Sequence, residues 1–127
     1  MPSGPDPNKA YADGVEALKA GDYRKAERQF KTVLGAVPKN AEANYLMGMA
    51  KAGNGKHDDA VKYLEKAVKY DEYLYGAWDQ LGRSQMALGN KAEAQQALDA
   101  LNAKAQACGE TCPPTLLGAR DGLKAVV

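Results

Sequence analysis

Phenylalanine, tryptophan and histidine each occur once in this chain, and cysteine only twice. A lone histidine leaves out His-rich metal centres and most histidine-based catalytic sets, because zinc alone asks for four ligands. His57 is also remote along the chain from both cysteines, and reads as a solvent-facing residue at a helix start. Charge of one sign is missing too: 17 Lys and Arg stand against 16 Asp and Glu, a net charge of +1. Without a clustered basic excess the chain lacks the usual footprint of a nucleic-acid binder. No apolar run approaches the roughly 18 to 20 residues that span a bilayer, so direct membrane insertion is not expected. Gly-x-Ser-x-Gly, a Walker loop and His-Glu-x-x-His are all lacking. The acidic pair Asp58-Asp59 suits the charge preference of a helix start rather than catalysis. The chain therefore reads as a non-enzyme with no catalytic residue, no cofactor and no metal ligand.

What is present is helix-forming and repetitive. The 127 residues make about one domain, with 45% apolar and 26% charged residues. Alanine is abundant and β-branched content low, which favours helix over strand. Residues 1–7 (MPSGPDP) hold three prolines and a glycine without an apolar stretch, and are expected to be a disordered lead-in. Beyond them, columns align at a constant offset of 34: Gly14, Gly48 and Gly82; Gly21, Gly55 and Gly89; Ala26, Ala60 and Ala94. Phe30, Leu64 and Leu98 form a fourth column, large and apolar. Three aligned glycines arise by chance in roughly one column per thousand.

Each column has a physical reason. A glycine inside a helix costs about 1 kcal/mol against alanine. The first glycine column therefore implies a close helix approach, with the alanine column expected opposite it. The second glycine column ends one helix and opens the next. Asn90, with Glu93 three residues later, resembles a capping box. Helices are expected at 8–20, 23–36, 41–53, 57–70, 75–88 and 91–106. A seventh, about 113–126, would lay Leu116, Leu117, Ala119, Leu123 and Val126 over the last hairpin.

Trp78-x2-Leu81-Gly82, together with Ala26-x3-Phe30 and Pro38, resembles the tetratricopeptide repeat (TPR) pattern. The resemblance covers three repeats within 8–108, divided as 7–40, 41–74 and 75–108, and leaves 109–127 as a Cys-containing turn and capping helix. It implies an all-α, right-handed superhelix of three helix-turn-helix repeats plus the C-terminal capping helix. Repeat two departs from the pattern with Asn44 at its Trp-like position, and Glu72 replaces the proline seen at Pro38.

The resemblance also implies a concave groove lined by the first helix of each repeat, holding a peptide or helix of a protein partner. Carried over by position, its residues are Asn8, Tyr11, Val15, Leu18 and Lys19 in repeat one. Repeat two supplies Glu42, Tyr45, Met49, Ala52 and Gly53, and repeat three Gly76, Asp79, Arg83, Met86 and Ala87. Tyrosine offers large contact area at low entropic cost, and methionine adapts to irregular partners. A rival reading has Val15, Leu18 and Met49 packing between neighbouring helices. Some members of the family grip a peptide's terminal carboxylate with Lys, Asn and Arg. The matching positions here are Tyr11, Val15, Leu46, Gly76 and Gln80, which hold no cation, so carboxylate capture is not expected. A different class of function, a self-assembling homo-oligomeric scaffold, stays open. Tyr63, Tyr70, Tyr73, Tyr75 and Trp78 are expected to pack the junction of repeats two and three, with an exposed aromatic patch for a second partner as the alternative.

The two cysteines form Cys108-Gly-Glu-Thr-Cys112. Residues four apart at a helix end sit near 6 Å between Cα atoms, within disulfide reach. A structural disulfide implies an oxidising compartment, periplasmic or secreted. Two free thiols in a cytoplasmic protein are the alternative. A redox-active pair is disfavoured, because its usual spacing is Cys-x-x-Cys.

Overall fold

The computed structural model describes residues 4–127. Seven α-helices follow one another among them: α1 (Pro7–Lys19), α2 (Tyr23–Ala36), α3 (Ala41–Gly53), α4 (His57–Tyr70), α5 (Tyr75–Ala87), α6 (Lys91–Cys108) and α7 (Pro114–Lys124). A 3-10 turn, Gly109–Thr111, joins the last two. The helices pair as α1–α2, α3–α4 and α5–α6, and the hairpins stack into a right-handed superhelix closed by α7. None of the described helices is long and apolar enough to cross a membrane.

Local chemistry sets the helix ends. The Asp6 carboxylate accepts from the Asn8 backbone N–H and Pro7 takes the first helical position, where its missing N–H is no loss. The expected lead-in thus ends at its last two residues, which start α1, while Met1–Ser3 lie outside the described residues. Asp22 and Asn40 cap α2 and α3 in the same manner. Asn90 does not cap α6: its amide donates to the Gln85 side chain at 2.9 Å, bracing the turn instead. Gly21, Gly55 and Gly89 hold φ of 75°, 77° and 79°, a conformation that a side chain would strain. That requirement makes the second glycine column.

The first column works through volume, and its nearest partner is the large column rather than the alanine column. A Cβ on Gly14 would lie 2.6 Å from the Phe30 ring, and one on Gly48 2.6 Å from Leu64. The large column therefore plugs the glycine sockets, while Ala26, Ala60 and Ala94 are fully buried beside them. The third socket breaks the pattern. At Gly82 the plug is Leu123, whose methyls would lie 2.6 Å from an added Cβ. α7 therefore enters the third hairpin's core, with Leu116 and Leu123 fully buried.

Asn44, the departure at the Trp-like position, is buried and donates to the Pro38 and Asn40 carbonyls at 3.1 and 2.8 Å. Those bonds hold the break between hairpins one and two. Trp78, in the matching place of hairpin three, donates to the Glu72 carbonyl at 2.8 Å. The tyrosines around it are not all packed: Tyr73 is 65% exposed and Tyr70 37%. Tyr70 is the last residue of α4 and Tyr73 lies in the turn before α5, where the Lys104 ammonium of α6 sits 5.4 Å from the Tyr73 ring centroid. A disulfide joins Cys108 and Cys112, with Cα atoms 5.0 Å apart, and ties the end of α6 to the approach to α7.

Candidate functional site

The first helices α1, α3 and α5 touch one another in succession along the array, each paired with its second helix, α2, α4 or α6. Two tyrosines at equivalent positions link these inner helices. The Tyr11 hydroxyl donates to the Glu42 carboxylate, from α1 to α3. That acceptor, with some burial, holds the Tyr11 phenol above its ordinary value. Tyr45 reaches from α3 onto α5, where its hydroxyl would lie 2.6 Å from a Cβ on Gly76. Gly76 thus seats a tyrosine and presents nothing of its own. Burial raises the Tyr45 pKa, and the Asp79 carboxylate adds to the rise. Asp79 accepts from Arg83 Nε at 2.9 Å, one turn along α5.

Further along the wall is an open depression of about 320 Å3, lined by Leu18, Tyr23, Met49, Ala52, Gly53, His57 and Gln80. Four of these were assigned to the groove by position. Tyr23, His57 and Gln80 were not, because they come from the helix turns and from a neighbouring register. The Tyr23 ring lies directly on Gly53, which a side chain there would prevent. His57 is half-buried rather than solvent-facing, with Nδ1 3.4 Å from Ser84 Oγ. Gln80 donates to the same hydroxyl at 3.3 Å. Ser84 is fully buried, so it can draw α4's first residue inward.

The groove positions differ in burial. Val15 and Leu18 are half-buried against the first core cluster, so part of each serves packing. Met49 and Met86 are half-buried, whereas Ala87, Asn8 and Lys19 are exposed. Lys19 pairs with Glu16 at 3.5 Å on an open surface. Arg83 lies against α7: a Cβ on Gly122 would be 3.0 Å from its guanidinium. At the five carboxylate-gripping positions the structure holds Tyr11, Val15, Leu46, Gly76 and Gln80, with Tyr11 and Gln80 already hydrogen-bonded within the chain.

Two family models, both described as tetratricopeptide repeat, match residues 11–74 and 51–110. The chain belongs to the tetratricopeptide repeat family. Solved TPR domains share its fold. The Sgt2 TPR domain of Aspergillus fumigatus is 21% identical, with a TM-score of 0.76, 96% of this chain and 79% of that one covered. The yeast Sti1 TPR2B domain, solved as a complex with pHsp70, is 18% identical with a TM-score of 0.77, covering 94% and 96%. The second TPR domain of human RPAP3, solved with the HSP70 peptide SGPTIEEVD, is 21% identical with a TM-score of 0.71, covering 94% and 98%. No curated protein matches the chain.

Proposed function

We propose that this TPR array is a protein-interaction module whose concave wall binds an apolar, amphipathic peptide or helix of a partner. The observation that carries the reading is the depression bounded by Leu18, Met49, Ala52 and Tyr23. It opens on the same wall as the tyrosine links and the Asp79–Arg83 pair. An apolar recess with a few oriented polar groups at its rim is the pattern of a groove that takes side-chain anchors. TPR domains of similar fold bind chaperone peptides, one of them ending in Glu-Glu-Val-Asp. This groove differs in having no cation at the matching positions, so an internal apolar segment suits it better than an acidic tail. The disulfide supports placement in an oxidising compartment, periplasmic or secreted.

An array of immobilised peptides tests the reading. Amphipathic peptides are captured by the wild-type chain, and a Glu-Glu-Val-Asp-ended peptide is not. Tyr45→Ala combined with Arg83→Ala removes the capture while helical circular dichroism is retained. If that pair leaves affinity within about 0.5 kcal/mol of wild type, the groove is not the binding surface.

A further inference from the structure

The outer face of the first hairpin carries charge for which the fold has no use. Between residues 7 and 40 stand seven Lys and Arg against four Asp and Glu, although the whole chain is nearly neutral. Arg24, Arg28 and Lys31 follow one another along α2 at spacings of four and three, all exposed. Residues so spaced share a helix face, and like charges there destabilise the helix. Arg24 and Lys25 also occupy the first turn of α2, which contains no acidic residue, and cations oppose the helix dipole at that end. None of Arg24, Lys25, Arg28 and Lys31 pairs with a carboxylate among the described residues.

The one carboxylate that lines the recess beside Arg24 and Arg28 is already committed. Glu27 accepts from Lys51 at 2.6 Å, from Asn54 at 2.8 Å and from Lys56 at 3.3 Å. It thereby forms the floor of an open pocket of about 330 Å3 whose walls are Arg24, Arg28, Asn54 and Lys56. Two guanidinium groups and an ammonium thus border one recess whose single anion is used up from within.

We infer that this recess on the convex side is a second binding surface, which takes an acidic segment of a protein partner through its Asp and Glu side chains. The arginine fork matches a carboxylate in bidentate geometry, and the two arginines lie one helical turn apart. Separate carboxylates along a peptide can therefore reach each of them. No aromatic side chain lines the recess, so it offers no stacking platform of the kind that single-stranded nucleic acid uses. The surface does not depend on the groove reading, since none of Arg24, Arg28 and Lys56 lines the depression.

The test is fluorescence anisotropy with a labelled oligoglutamate peptide on the full chain, at low and at physiological salt. Arg24→Gln with Arg28→Gln is expected to weaken binding by about tenfold or more. Lys69→Gln with Lys91→Gln, two exposed cations on α4 and α6, has the same net charge and is expected to stay within about twofold. Both variants remain helical, because all four side chains are exposed. Equal losses in the two variants would mean that net charge alone attracts the peptide, and the site falls. It also falls if the wild type does not bind at low salt, or if a single-stranded oligonucleotide or inorganic phosphate binds more tightly. A concentration-dependent mass in sedimentation that Arg24→Gln with Arg28→Gln abolishes would assign the face to a second copy, and overturn the inference.

Discussion

Glu27 reaches from the first hairpin into the second, and its carboxylate is held there by Lys51, Asn54 and Lys56. Burial alone would push its pKa up, but the three hydrogen bonds outweigh burial and hold it below its ordinary value. Lys51 is held above its ordinary value, chiefly by the hydrogen bond to Glu27, although burial works against it. A lowered carboxylate stabilises the fold above its unfolded pKa of about 4.3, and the contribution disappears as pH falls through the lower folded value. The lysine's contribution is complete below its unfolded pKa of about 10.4 and disappears only as pH rises through the higher folded one. Glu27→Gln is therefore expected to cost about 1 to 3 kcal/mol at neutral pH, by urea titration, because it leaves Lys51 underpaired. The variant and wild-type stabilities should converge in acid, below the ordinary carboxylate range. A gap that persists there would mean that shape, not charge, holds the contact.

At the scale of a helical hairpin, the repeating unit is a glycine socket with a large plug, flanked by a fully buried alanine. The socket explains why glycine is used within α1 and α3 despite its propensity cost of about 1 kcal/mol. Phe30 and Leu64 would have no space if a methyl group stood at Gly14 or Gly48. Ala60 has no exposed surface in α4, so there is nowhere for added methylenes to go. Ala60→Leu is expected to destabilise by about 1 to 3 kcal/mol through overpacking, read from the denaturant midpoint. An unchanged midpoint would show that the neighbouring helices can part there at no cost.

Over the whole molecule, each hairpin touches mainly its neighbours, so stability behaves as a chain of nearest-neighbour terms. The two ends of that chain differ. Among the described residues α1 packs on α2 and α3, whereas α7 is drawn into the last hairpin by Leu123 at the Gly82 socket and by Leu116 against α6. Leu123→Ala is expected to cost about 2 to 5 kcal/mol. Amide exchange should accelerate first in α5, α6 and α7 and leave α1 and α2 nearly as protected as before. Uniform acceleration along the chain would mean that the array unfolds as a single cooperative block. Because the Arg83 guanidinium lies against Gly122 of α7, the same substitution is also expected to loosen the hold of α7 on Arg83.

Helix number, order and boundaries to within two residues were legible in the sequence, because period, glycine stops and N-caps act within a few residues of one another. The register of 34 also separated the first helix of each hairpin from the second. Contacts between units were not legible. The depression also needs Tyr23, His57 and Gln80, which meet through a helix turn, a helix start and a neighbouring helix face. Glu27 reads as an ordinary surface acid until Lys51 and Asn54 are brought to it. The alanine column and the large column have the same period, so only packing could decide that the large one fills the glycine sockets. Periodicity likewise gives Leu98 and Leu123 equal standing as apolar helix residues. Which of them reaches Gly82 depends on how closely α7 approaches α5, a distance set by the volumes of both helices at once and by no local run of residues.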